Sequence, residues 1–407
     1  MNKVFISGRG LITPLGKGLE ENRQALKSGK CGITTCPQFV ELEFGSQVAG
    51  MADTTPDTTL MDRKFLRFSP PVASISVSAV NEALQEAGIS REELSKMRVA
   101  VIGGVANGNA AEQITNANNY MKEHRIRTVS PFGVPRIMPS SAVSIVSMFF
   151  GLKGESYDVS AACATSALAV ITASRLIRYG IYDIVIVGGA EVLDYSQAIG
   201  FNAMKALSTK NDTPEKASCP FDKKRDGFVL AEGAAWMILE SEEHLKKRGG
   251  KAIAEISGMA ANSNATDMVV PDAPANAEVM RMAVEDAGLK LEDIAYVNTH
   301  GTSTCVGDPL ELDAIKEVFG ENIYINSTKS QTGHMVGATG AAEILFSTIM
   351  LQDKFISPTL NYEEPMDGYE WAKISPEIIE NVDMKHVISN SFAFGGSNCC
   401  VVLSEVE

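Results

Sequence analysis

Four side chains carry most of the chemistry this sequence can offer: Cys163, His300, Lys329 and His334. Cys163 stands in Tyr157-Asp158-Val159-Ser160-Ala161-Ala162-Cys163-Ala164-Thr165-Ser166-Ala167-Leu168. The pattern predicts a buried strand that stops on small residues and turns at once into a helix. That helix has Leu168, Ile171, Leu176 and Ile177 at helical spacing, Arg175 and Arg178 near its end and Gly180 beyond it. A thiol at a helix N-terminus meets free backbone N–H groups and the positive end of the dipole, so its pKa is expected below the free value of about 8.5. Ala161, Ala162 and Ala164 leave room for a substrate beside the sulfur. Taken alone, the same cysteine reads equally well as a small buried hydrophobe.

The two histidines follow strand-like runs and sit among glycine and small hydroxyl residues, in Val297-Asn298-Thr299-His300-Gly301-Thr302-Ser303-Thr304 and Ser327-Thr328-Lys329-Ser330-Gln331-Thr332-Gly333-His334. Backbone bends there bring a side chain close to a ligand. With Lys329 five residues before His334, the set suggests a thiolate nucleophile plus donors for a developing oxyanion. No aspartate is obviously placed to orient a base for proteolysis. A last segment, Asn390-Ser391-Phe392-Ala393-Phe394-Gly395-Gly396-Ser397-Asn398, offers a Gly-Gly turn that can aim a backbone N–H at an oxyanion and two phenylalanines that can wall an apolar channel.

The elements that must position these groups alternate from end to end, which points to α/β. Met1 to Gly10 reads as a strand and a turn at Gly8 and Gly10, and further strands are expected at 99–104, 156–161, 183–188, 234–239, 253–259, 294–298, 323–327, 386–391 and 399–404. Several are continuous Val/Ile runs of the kind buried on both faces. Helices are expected at 71–87, 111–121, 164–179, 275–287, 309–319 and 337–351, with Asp308 capping the one that starts at Pro309. A charged stretch at 240–251, ending in Gly249-Gly250, marks the seam between a half carrying the cysteine (1–250) and a half carrying the histidines (251–407). The halves echo each other: strand, small residues, Cys163 and helix in one; strand, Lys329, His334 and helix in the other. Two further strands, 185–189 and 387–396, each end in a Gly-Gly pair.

With 407 residues, 45% hydrophobic and 21% charged, the chain is an ordinary globular protein long enough for two fused halves. A net charge of −14 argues against nucleic acid as a general partner. No apolar run approaches the roughly 20 residues of a membrane helix, and the start lacks the form of an export signal. Seven cysteines without a C-x-x-C fit free thiols in a reducing cytoplasm. None of the five scattered histidines pairs with cysteine at metal-ligand spacing, so no metal site is expected.

The Ala-Cys-Ala-Thr-Ser run around Cys163, the Asn-Thr-His-Gly-Thr-Ser-Thr run around His300, the Thr-Lys-Ser-Gln-Thr-Gly-His run ending at His334 and the Asn390–Asn398 segment together resemble the β-ketoacyl-acyl carrier protein synthases, most of all the synthase I type. Asp62-Arg63-Lys64-Phe65-Leu66-Arg67, Ala206-Leu207-Ser208-Thr209-Lys210, Arg225-Asp226-Gly227-Phe228 and Ala265-Thr266-Asp267-Met268-Val269 look like that group as well, in register along the whole chain. The resemblance implies a thiolase-like fold, five-layered αβαβα, made of two pseudo-duplicated halves and paired as a homodimer. It implies that Cys163 accepts the acyl group. His300 and His334 would hydrogen-bond the malonyl thioester oxygen during decarboxylation, Lys329 would organise the site, and Glu343 would anchor that network. Phe394 would add an oxyanion N–H to that of Cys163, with Phe392 and Phe394 at the gate of the acyl pocket, and Thr302 and Thr304 would hold the pantetheine arm. No dissociable cofactor is implied, because phosphopantetheine arrives on the acyl carrier protein. That carrier is acidic in this family, and Lys64, Arg67, Arg125 and Arg127 are its expected contacts.

Three positions depart from the family pattern and bear on chain length: Ala393 in place of glycine, Gln331 in place of methionine or asparagine, and Val105-Ala106-Asn107-Gly108-Asn109 in place of a glycine-rich run. Cys399 and Cys400 read as strand packing. A thiolase or type III synthase would pair the cysteine with other partners than Lys329 and His334. A non-catalytic chain-length subunit would lack the nucleophile. A ketosynthase of a polyketide or polyene pathway would carry the same residues as a fatty acid enzyme.

Overall fold

The computed structural model describes residues 1–406. Ten strands make the main sheet: β1 (Val4–Thr13), β2 (Val99–Gly103), β3 (Ser156–Asp158), β4 (Ile184–Glu191), β5 (Gly233–Ser241), β6 (Ala254–Ser263), β7 (Ile294–Asn298), β8 (Tyr324–Asn326), β9 (His386–Phe392) and β10 (Ser397–Ser404), with Gly16–Lys17 folding back on β1. Their spatial order is β8-β7-β9-β10-β6-β1-β5-β4-β2-β3. Read outward from the middle, this is one topology used twice. In residues 4–241 and again in 254–404, the third strand pairs parallel with the second, the second parallel with the fourth, the fourth antiparallel with the fifth, and the fifth antiparallel with the first. The two copies join where Phe5 and Ile6 of β1 pair antiparallel with Glu255 and Ala254 of β6.

Six helices complete the layers: α1 (Pro71–Ala87), α2 (Ser141–Phe150), α3 (Thr165–Arg178), α4 (Ala273–Asp286), α5 (Gly307–Phe319) and α6 (Thr339–Asp353). Alternation along the strands sorts their side chains into separate cores. Ala235, Met237 and Leu239 of β5 join α3 and α6 in a central core, whereas Ala234, Trp236 and Ile238 face α1 and α2. Along β10, Cys399, Val401 and Leu403 face the central helices, and Cys400 and Val402 face α4 and α5. Helix, sheet, helix, sheet, helix is thus the five-layered thiolase-like arrangement. Strands buried on both faces explain the unbroken Val/Ile runs. Residues 339–351 of α6 are all buried, as befits a helix between the two five-stranded halves of the sheet.

The expected elements fall within a few residues of those observed, with instructive exceptions. Gly8 and Gly10 make no turn; β1 runs through both, and a Cβ on either would meet the backbone oxygens of Ala83 or Ala79 in α1 within about 2 Å. The glycines are there to let α1 lie flat on the strand. β4 likewise continues past Gly188-Gly189 to Glu191, so only the second Gly-Gly pair ends in a turn, with Gly395 at φ 82° and Gly396 at φ 75°. Glu240, placed in the seam, lies inside β5; the seam proper is a Ser241-capped helix, Glu242–Arg248, closed by Gly249 in the left-handed region. Helix α2 was not expected, although Ala142, Val143, Ile145, Val146, Phe149 and Phe150 bury at helical spacing and Gly151 closes it.

Candidate active site

Cys163 sits where β3 hands over to α3. Ala162 takes φ +46°, a conformation costly for a residue with a Cβ, and one 3-10 turn at Ala162–Ala164 leads into Thr165, whose Oγ1 accepts from the Ala161 N–H at 2.8 Å. The sulfur is buried, and the backbone N–H groups of Cys163 and Phe394 both reach it. The expected depression of its pKa does not hold. Burial pushes the thiol up to about 11, outweighing the Lys329 charge and the two N–H groups that pull it down.

His300 follows β7, and its backbone N–H and that of Gly301 donate to the two oxygens of Glu311 on α5, at 2.8 and 2.7 Å. Asn390 Nδ2 donates to the same carboxylate at 3.3 Å. His334 follows a short helix, Lys329–Thr332, and Gly333 at φ 73°; its backbone N–H donates to Val229 O at 2.7 Å and its Nδ1 lies 3.0 Å from Thr339 Oγ1. The two rings meet edge to face with centroids 5.4 Å apart. Burial first, then the Lys329 charge, holds both imidazoles well below the usual histidine range, so both are neutral at pH 7. Lys329 Nζ donates to Glu343 Oε1 at 2.7 Å, with both side chains 1% exposed, and Thr328 Oγ1 donates to the same oxygen at 3.3 Å. Burial nevertheless raises Glu343 to about 7.

One donor atom from each of Cys163, His300 and His334 lies within 4.8 Å of the other two. They line a cavity of about 290 Å³ with Thr302, Thr304, Phe392 and Phe394 along its walls. Thr302 and Thr304 share a hydroxyl–hydroxyl contact of 3.0 Å, and Phe392 packs on His300. A nucleophile beneath two backbone donors, facing two neutral imidazoles across one cavity, is equipped to form a thioester and to hold a carbanion's oxygen. A family model for the β-ketoacyl synthase N-terminal domain matches residues 1–244, and that for the C-terminal domain matches residues 253–363.

The chain belongs to the β-ketoacyl synthase family.

It is 39% identical over 404 residues to 3-oxoacyl-[acyl-carrier-protein] synthase 1 of Haemophilus influenzae, covering 99% of this chain and 98% of that one. A β-ketoacyl synthase from Burkholderia phymatum superposes with a TM-score of 0.95 at 35% identity over the full length of both chains. A type II polyketide ketosynthase, solved with its acyl-carrier protein and bound to a hexaketide, gives a TM-score of 0.90 at 30% identity, again over both full lengths.

The fold of this synthase gathers Cys163, His300, His334, Lys329, Glu343, Phe392, Phe394, Thr302 and Thr304 at one place. It leaves Lys64, Arg67, Arg125 and Arg127 outside the cavity, all exposed and, among the described residues, without an ion-pair partner. No histidine pairs with cysteine at metal-ligand spacing in the sequence, and the fold brings Cys163, His300 and His334 together from three distant segments. One expectation is corrected here. Asp308 does not cap a helix from Pro309; α5 starts at Gly307, and the buried Asp308 carboxylate accepts from the Phe221 and Thr304 N–H groups at 2.7 and 3.3 Å, steadying the loop after His300. Burial raises it to about 7.

Of the three departures, Gln331 stands apart from the cavity. Its amide donates to the Ala25 and Lys30 carbonyls at 3.3 Å each and accepts from Ser357 Oγ at 2.6 Å. Ala393 is extended at φ −126°, a conformation open to any residue. Ala106 and Asn107 donate their N–H groups to buried Glu191 at 3.0 and 3.3 Å, and Gly337 adds a third at 3.2 Å. Glu191, Glu311, Thr339 and Asn390 were missed by the sequence reading. Asn390 stood in the sequence only as the first residue of the Gly-Gly segment, and Glu311 as a carboxylate in the first turns of the helix after the His300 loop.

Proposed function

We propose that this synthase elongates fatty acyl chains by two carbons, condensing an acyl group held on Cys163 with malonyl-acyl carrier protein. Cys163 Sγ attacks the acyl thioester of the carrier, the Cys163 and Phe394 N–H groups hold the oxyanion, and the thiol proton leaves with the pantetheine sulfur. The malonyl group then enters. Neutral His300 and His334 donate to its thioester oxygen, carbon dioxide departs, and the resulting carbanion attacks the Cys163 thioester to release the β-ketoacyl carrier and the free sulfur. Thr339 at His334 Nδ1 leaves Nε2 to face the substrate, and the Lys329–Glu343 pair fixes the field around both rings. Decarboxylation supplies the carbanion without a strong base, so a triad aspartate is unnecessary.

The convergence of one sulfur and two neutral imidazoles under the Phe394 N–H carries this reading. Thr302 and Thr304, on the cavity wall, hold the pantetheine arm, and the reaction calls for no dissociable cofactor because phosphopantetheine comes on the carrier. Unpaired Lys64, Arg67, Arg125 and Arg127 form the landing site for an acidic carrier on a chain of net charge −14. Residues 1–250 and 251–407 act as the two halves. The chain works as a homodimer in the cytoplasm: edge strand β3 has one unpaired side, and the helix Ala110–Glu123 buries none of its residues while exposing Tyr120 and Met121. The free state of all seven cysteines fits that compartment.

A second reading, a polyketide ketosynthase, rests on the likeness to the hexaketide-bound enzyme. Incubation with acyl- and malonyl-carrier separates the two by product mass. A single β-ketoacyl product two carbons longer supports fatty acid elongation. Repeated extension without reduction supports the polyketide reading, and no new carbon–carbon bond contradicts both.

A further inference from the structure

The Cys163–His300–His334 cluster is also a complete face of soft donors. One sulfur and two imidazole nitrogens, all within 4.8 Å, come from three separate segments. Tetrahedral zinc with three protein ligands uses such a set, with Zn–S near 2.3 Å and Zn–N near 2.0 Å, which places ligands roughly 3.5 Å apart. A second observation points the same way: His334 Nε2 is buried and has no protein partner, while Nδ1 rests on the Thr339 hydroxyl. A hydroxyl both donates and accepts, so it supports either tautomer. Nε2 can therefore present an N–H to a thioester oxygen or a lone pair to a metal. Such an outer partner is what metal-bound histidines ordinarily have.

The ionisable groups around the cluster are Lys329, engaged at 2.7 Å by Glu343, Glu311 under the His300 loop, and Glu191, whose charge acts on Cys163. The open fourth position faces the cavity, large enough for water.

We propose that the free synthase binds one Zn²⁺ through Cys163, His300 and His334, and that zinc thereby inhibits it reversibly in competition with the acyl donor. Binding forms the Zn–S bond and releases the Cys163 thiol proton to solvent. An acylated Cys163 has no thiolate to give, so acylation and zinc exclude each other. The competition rests on the acyl-acceptor reading above; the metal binding itself does not.

The test is titration of metal-free full-length protein with Co²⁺ as a spectroscopic stand-in, followed by Zn²⁺ with iodoacetamide trapping. Expected are one Co²⁺ per chain with a thiolate-to-cobalt charge-transfer band, absent in Cys163→Ala, and an affinity lower by roughly tenfold or more in His334→Asn. Zn²⁺ slows alkylation of Cys163 and chelator restores it; His300→Asn replaces His334→Asn if the latter does not fold. A wild-type titration without that band, a band that persists in Cys163→Ala, or alkylation indifferent to Zn²⁺ overturns the proposal. Acyl transfer that is indifferent to zinc while the cobalt band is present would instead remove the acyl-acceptor reading.

Discussion

Ala162 and Val336 occupy equivalent places in the two halves and share one unusual backbone, φ +46° and φ +44°. Each opens a single 3-10 turn, Ala162–Ala164 and Val336–Ala338, and each turn runs into a central helix that starts on threonine, Thr165 or Thr339. The duplicated device has been put to different uses. In the first half the turn presents Cys163, and Thr165 ties down Ala161. In the second, Gly337 fills the matching position and Thr339 reaches back to His334. Left-handed conformations at residues with side chains cost about 1–3 kcal/mol each. Here the surrounding layers enforce both.

Because burial raises the Cys163 thiol to about 11, thiolate is scarce at neutral pH and grows tenfold with each pH unit. Iodoacetamide alkylation of the metal-free enzyme is therefore expected to climb steadily from pH 7 to about pH 10 without levelling near 8.5. A plateau at lower pH would show that the helix terminus outweighs burial after all.

Thr339→Val keeps the volume of the side chain and removes the hydroxyl at His334 Nδ1. Decarboxylation of malonyl-carrier should slow roughly tenfold, the rate equivalent of one hydrogen bond. Acylation of Cys163, which uses the backbone N–H groups instead, should slow far less. Comparing the two half-reactions by mass spectrometry checks the division of labour.

Glu240 is the clearest source of pH-dependent stability. Burial pushes its carboxyl up, but Arg248 at 2.5 and 2.7 Å, His244 at 2.5 Å and the Ser7 hydroxyl outweigh burial and hold it near 2. A depressed carboxyl contributes stability that is full above the unfolded pKa of about 4.3 and is lost as pH falls toward 2. Glu240→Gln should cost about 3 kcal/mol at pH 7 and lose less than wild type on acidification. Thermal melts from pH 7 down to about pH 3 follow both.

Gln331→Met restores a residue usual in the family yet strips three hydrogen bonds that tie α6-side Ser357 and the segment 25–30 together. The expected result is a loss of about 1–3 kcal/mol with an unchanged profile of acyl chain lengths. A shifted profile with intact stability would contradict the position given to Gln331.

The pieces of the site legible in the sequence are those set by local pattern. Small residues before a helical period marked the Cys163 turn, and the run Ile294–Asn298 marked the strand that delivers His300. What stayed hidden depends on parts far apart in the chain. Gly8 and Gly10 look like turn formers until α1 is laid across them. The direction of the Cys163 shift depends on how deeply the second half buries the sulfur, not on its own helix. Glu311, Asn390 and Thr339 act through bonds spanning residues 300–390, and the donor set around Cys163 exists only once both halves are folded.

The most direct measurement is the intact mass of the protein after mixing with acyl-carrier proteins of several chain lengths, with Cys163→Ala alongside. An acyl-sized gain that Cys163→Ala lacks is the predicted result, and the favoured length identifies the acyl group the cavity accepts. No gain with any donor, or an equal gain in Cys163→Ala, would contradict Cys163 as the acyl acceptor.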